Sequence, residues 1–220
     1  MSRIAKYVRW AAFLWHRHVT GFSAPAAPEM DPEFLERFTA LLGDAQLYLE
    51  FGSGGSTLLA ARLATPTLSV ESDPVFARTI RRAIAPGAEV TVLHADIGWT
   101  EARGFPLLKR PTARRLDRWR RYIALPFDHL SRRAAFPDLI LVDGRFRRAC
   151  ALESARQARL AGRSALLLFD DYRHRPGYHA VEPLLGAPTM IGRCALFDIG
   201  PGHGHPIGED DVARALLETE

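Results

Sequence analysis

Five short apolar runs that do not alternate constrain this chain more than any other feature of its sequence. They are QLYLEF (46–51), TLSVES (67–72), EVTVLHA (89–95), PDLILVDG (137–144) and SALLLFDD (164–171). A strand with one face in water alternates apolar and polar residues, whereas a strand apolar throughout is buried on both faces. Helical stretches separate the runs: TLLAARLA, PVFARTIRRAIA, RRACALESARQARLAG closed by Gly162, and YHAVEPLLG after the last. Strands alternating with helices specify an α/β fold, a mostly parallel sheet covered on both faces. MIGRCALFDIG holds two further strands around Gly192-Arg193.

The rest of the chain is organised around that sheet. Residues 1–20 read as a helix that mixes basic and aromatic residues, followed by the connector GFSAPAAPEMDP. The expectation is a docked amphipathic helix, with a membrane-surface anchor as the alternative. Asp31 is placed to cap a helix running to about Leu42, with Pro32 at the first helical position. This divides the chain into a helical extension (1–44), a sheet domain (45–200) and a tail (201–220). Within the domain, 97–136 is too long for a simple crossover and is rich in Arg, Pro and aromatics. It reads as an inserted segment on the acceptor side. The net charge is +4, and Lys6 and Lys109 are the only lysines, so the position of the arginines matters more than their number. Cys150 and Cys194 are too few and too far apart for a disulfide framework or a thiolate zinc site, and both are expected reduced and packed. No apolar run approaches the ~20 residues of a membrane span, and the expected location is cytoplasmic.

Acidic residues gather where the strands end: Glu50, Glu71, Asp96, Asp143 and the pair Asp170-Asp171. Ligands of open α/β sheets bind at that carboxyl edge. The first strand runs into Glu50-Phe51-Gly52-Ser53-Gly54-Gly55-Ser56, a turn in which glycine lets backbone approach a ligand closely. The dinucleotide pattern G-x-G-x-x-G needs a glycine at position 57, where Thr57 stands, so a nicotinamide dinucleotide is disfavoured. An acid-rich crevice also suits a cationic ligand better than a pyrophosphate.

In order and spacing, YLEFGSGGST, LSVESD, LHADIG and DLILVDG resemble the motifs of class I S-adenosylmethionine-dependent methyltransferases, over roughly residues 45–200. The resemblance implies a Rossmann-like doubly wound sheet and S-adenosyl-L-methionine as cofactor. Gly52, Ser53 and Gly54 would line the methionyl-adenosyl moiety, with Glu50 near the ammonium. Glu71 would hold the ribose, Asp96 would face the adenine amino group and Ile97 would pack on the ring or in the core. VDG…FDDY is similar to metal-dependent sugar O-methyltransferases of the macrocin type, which makes Asp143, Asp170 and Asp171 candidate ligands for Mg²⁺ or another divalent cation. Arg145 and Arg147 offer a competing way to neutralise those acids. Asp143, His174 and His179 are the candidate catalytic groups; His203 and His205 read as tail-loop residues.

The function expected on this basis is O-methylation of a small-molecule or saccharide hydroxyl. A second reading is a nucleic-acid methyltransferase that uses the basic stretch RRLDRWRR (114–121). A third is a non-catalytic binding protein that keeps the fold. Association into a homo-oligomer is left open by the sequence.

Overall fold

In the computed structural model the five apolar runs become adjacent parallel strands. The structure describes residues 3–15, 17, 19 and 21–217. Met1, Ser2, His16, His18 and Thr20 of the basic-aromatic N-terminus, and residues 218–220 of the tail, lie outside the described residues. The strands are β1 (Tyr48–Phe51), β2 (Thr67–Glu71), β3 (Val90–His94), β4 (Leu139–Val142) and β5 (Ala165–Phe169), followed by a hairpin of β6 (Thr189–Ile191) and β7 (Cys194–Ile199). The order across the sheet is β3-β2-β1-β4-β5-β7-β6, and β7 runs antiparallel to both its neighbours. Strand order reverses between β1 and β4, the switch point at which such sheets open a crevice.

Helices cover both faces. On one side lie α2 (Pro32–Asp44), α3 (Gly55–Arg62) and α4 (Pro74–Ala83). Phe34, Phe38 and Leu42 of α2 pack there with Tyr48, Leu139, Leu141 and Leu168 of the strands. On the other lie α5 (Ala113–Ser131), α6 (Arg147–Leu160) and α8 (Glu209–Leu217). Trp119, Tyr122, Ile123 and Phe127 of α5 meet Leu49, Phe51, Ile140 and Val142 there. Adjacent strand residues thus serve opposite cores, as the two-residue period of a strand requires.

Residues 97–136 divide in two. The first part is a loop carrying a single turn at Ala102–Gly104; the second is α5, the crossover helix from β3 to β4, whose apolar face builds the core. YHAVEPLLG, expected as one helix, is a turn at Pro176–Val181 followed by the short α7 (Glu182–Leu185). Asp31 caps α2 as expected, accepting from the Phe34 N–H at 3.0 Å.

The N-terminal helix α1 (Arg3–Trp15) is tied to the domain by rings. Trp10 stacks on Trp99 with centroids 5.8 Å apart, and Phe13, Phe22 and Phe76 form a chain of contacts. Val8, Trp15 and Trp99 remain exposed. Among the described residues no helix is long and apolar enough to cross a membrane.

Candidate cofactor and acceptor cleft

At the carboxyl ends of β1, β2, β4 and β5 the backbone opens into a cleft of about 440 Å³. Its floor depends on two glycines. Gly52 has φ of +100°, and a Cβ there would lie 2.8 Å from the Gly144 Cα, so the turns after β1 and β4 meet with no room for side chains. Gly54 has open space where a Cβ would stand. The connector closes the opposite wall: Pro25, Ala27, Pro28, Glu29 and Met30 line the cleft, and Gly55 abuts the Ala27 carbonyl.

Glu71 ends β2 inside this cleft and is only 6 % exposed. It accepts from the Asp73 N–H at 2.7 Å, the Ser53 N–H at 3.2 Å and the Ser72 hydroxyl at 3.2 Å. Burial outweighs these bonds and pushes its pKa up to about 7. The carboxylate therefore ties the glycine turn to β2 while remaining part of the cleft wall. Beside it is Asp73, which the sequence reading passed over. It caps α4 through the Val75 and Phe76 N–H groups, lines the cleft and pairs with Arg17 at 3.4 Å. The Asp-Pro start of α4 was the signal for that cap.

Glu50 lies elsewhere. It is fully buried, and it is absent from the cleft wall. The hydroxyls of Tyr48, Ser56 and Thr57 donate to its carboxylate, the first two at 2.9 and 2.6 Å. As a residue of the same strand face as Tyr48, it points under α3 and anchors the glycine turn from below. Burial raises its pKa, against the three hydroxyl donors.

Asp143, Asp170 and Asp171 do converge on the cleft, and so do arginines. Arg147 reaches Asp143 at 2.7 Å and Asp171 at 3.2 Å. Arg175 reaches Asp171 at 3.1 Å, and Arg193 forks onto Asp170 at 2.8 and 2.9 Å. Burial raises the Asp143 pKa, with Arg147 opposing. Its Oδ2 takes part in no hydrogen bond among the described residues. Three carboxylates matched by three guanidiniums do not fit a divalent cation, which needs oxygens free to turn towards it. Among the described residues no group of three or more His, Cys, Asp or Glu is arranged to hold a metal. The expected divalent site is corrected accordingly: the acids are held by arginines. Arg147 fills the competing role foreseen for it, whereas Arg145 stacks on Phe105 instead.

This geometry can be set beside solved structures. A methyltransferase-like protein from Silicibacter pomeroyi DSS-3 is 34% identical, with 90% of this chain and 99% of that one covered at a TM-score of 0.74. The chain belongs to the methyltransferase-like proteins. A Staphylococcus aureus protein assigned as a caffeoyl-CoA O-methyltransferase is 10% identical, with 86% and 91% covered at a TM-score of 0.48. A human methyltransferase 10 domain containing protein is 11% identical, with 91% and 98% covered at 0.47. Neither a family model nor a curated protein matches the sequence.

Other expected site residues of this methyltransferase-like chain stand outside the cleft wall. Asp96 is exposed, accepts from the Gly98 N–H and faces Arg118 at 3.5 Å. Ile97 is buried in the core, its carbonyl accepting from the Trp119 indole. The turn carrying Arg103 and Gly104 packs on Ser72 and lines the cleft where they do not. His174 and His179 are exposed and also stand off the cleft wall; His179 stacks on Tyr172. A role for either as a base in the cleft does not fit that placement. His203 and His205 lie in an exposed loop, and both cysteines are free and buried.

Proposed function

We propose that the chain is an S-adenosylmethionine-dependent methyltransferase acting on a hydroxyl of a small-molecule or saccharide acceptor. The observation that carries this reading is Glu71, a buried carboxylate that lines the cleft and is bonded to the glycine turn. The cofactor, when bound, supplies an electrophilic methyl group. Gly52 and Gly54, on either side of Ser53, give backbone that a ligand can approach without meeting a Cβ. Glu71 would accept from the ribose hydroxyls, and Asp73 lies beside it. Glu50 is the support of this turn. The cleft is walled by the connector and by the 103–105 turn, which limits water around the reacting atoms. Asp143 is the carboxylate placed to take the acceptor proton, through the oxygen that Arg147 leaves open. Arg147 holds that side chain in place.

Calorimetry with S-adenosylhomocysteine tests the reading. The expected result is one-to-one binding that Glu71→Ala weakens by about 1–3 kcal/mol, the scale of a lost hydrogen bond to a charged group. NAD should give no heat under the same conditions. Tighter binding of NAD than of S-adenosylhomocysteine would overturn the assignment.

A further inference from the structure

Five arginines line the cleft, and they do not share one role. Arg147, Arg175 and Arg193 are consumed by the three aspartates. Arg103 and Arg145 have no carboxylate within ion-pair distance among the described residues. Two guanidiniums of the cleft wall are therefore left without a carboxylate partner once the internal pairs are counted.

Arg145 is held in place without a counter-ion. Its guanidinium centre lies 3.9 Å from the centroid of the Phe105 ring, a cation–π distance. Lys109 approaches the same ring, its Nζ 5.9 Å from the centroid. The Tyr122 hydroxyl accepts from the Arg145 N–H at 3.2 Å and occupies the space beside Gly144. Tyr122 is 1 % exposed, and burial drives its pKa far up, so the phenol keeps its proton. That proton has no acceptor among the described residues. Burial lowers the Arg145 pKa, the cost of holding an unpaired guanidinium in a partly desolvated place. Arg103 completes the set from a left-handed backbone (φ +61°), a conformation that costs free energy in a non-glycine residue and recurs at ligand sites. A planar guanidinium, a second cation and a neutral hydroxyl donor lining one cleft are the groups that recognise a carboxylate or a phosphate.

We propose that Arg145, stacked on Phe105 beside the Tyr122 hydroxyl and sharing the cleft wall with Arg103, binds an anionic group, a carboxylate or phosphate monoester, on the methyl acceptor. This rests on the methyltransferase reading and narrows its acceptor to an anion. It also moves acceptor recognition away from the arginines of α5, where Arg118 and Arg120 already face Asp96 and Asp117.

The test is titration of the protein saturated with S-adenosylhomocysteine, using inorganic phosphate, benzoate and its neutral counterpart benzamide as probes. Phosphate and benzoate should bind and benzamide should not. Arg145→Gln should weaken anion binding about tenfold or more, as loss of a charge-assisted pair does. Arg145→Lys, which keeps the charge but loses the stacked planar fork, should fall between wild type and Arg145→Gln, and both variants should keep the affinity for S-adenosylhomocysteine. Equal binding of benzamide and benzoate, or anion binding indifferent to Arg145→Gln, overturns the proposal. So does competition between phosphate and S-adenosylhomocysteine with loss of nucleoside affinity in Arg145→Gln, because the arginine then serves the cofactor carboxylate. A wild-type protein that fails to bind S-adenosylhomocysteine defeats the methyltransferase reading instead, and the anion titration on the free protein still decides whether Arg145 is an anion site.

Discussion

Glu50 and Glu71 show how two strand-end glutamates on neighbouring strands take different tasks. Glu71 is the last residue of its strand, so its side chain meets the cleft; Glu50 comes one residue before its strand ends and is directed under α3. The sequence makes both acidic positions visible, but only the strand register separates them: Glu50 lies level with Ser69, and Glu71 stands two residues further along the same sheet face. A pKa near 7 makes Glu71 testable by pH alone. Ribose hydroxyls donate to the ionised carboxylate, so S-adenosylhomocysteine affinity should rise as pH climbs through about 7, with proton release on binding. In Glu71→Gln calorimetry should find that dependence gone. Stability of the free protein runs the other way. The folded state keeps a proton that the unfolded chain releases near the ordinary value of 4.5. The stabilising contribution is therefore complete at low pH and lost as pH rises through about 7. Relative to Glu71→Gln, wild type should lose up to about 3 kcal/mol over that window in urea unfolding.

At the scale of elements, the turn between β6 and β7 joins three others. Arg193, in that turn, forks onto Asp170 at the end of β5 and donates to the Glu29 carbonyl, while its N–H meets the Asp31 cap of α2 at 3.1 Å. Asp170 is 2 % exposed, so removing the guanidinium leaves a buried charge alone. Arg193→Met should destabilise the fold by about 2–4 kcal/mol in urea unfolding, and adding Asp170→Asn should recover much of the loss. A strictly additive double mutant would contradict the pairing. The hairpin itself is legible from its apolar runs around Gly192-Arg193. The ion pair is not, because its partners come together only when β7 turns antiparallel beside β5. Likewise the strand runs were legible because two-sided burial leaves them no polar positions. The α5 segment read as an insertion because its exposed arginines outweighed the apolar stripe that marks it as core.

Over the whole molecule, charge is arranged as internal pairs at one end of the cleft and as unpaired cations beside them. With Asp143, Asp170 and Asp171 each matched by a guanidinium, the one oxygen that Arg147 leaves open on Asp143 is no ligand set for Mg²⁺. Millimolar Mg²⁺ should leave the thermal midpoint unchanged, and chelator should leave S-adenosylhomocysteine affinity unchanged. A midpoint raised by Mg²⁺ and insensitive again in Asp171→Ala would restore a metal site. The contact between Gly55 and Ala27 has a further consequence, and it is kinetic. The first residue of the helix behind the glycine turn touches the backbone of the segment that walls the cleft, and that segment is itself held by Arg193 through Glu29. A nucleoside leaving past the connector must first lift it, so departure rate is governed by how tightly those few atoms meet. One methyl group at position 55 would push the wall outward, shortening the lifetime of the bound complex while leaving every group that touches the ligand in place.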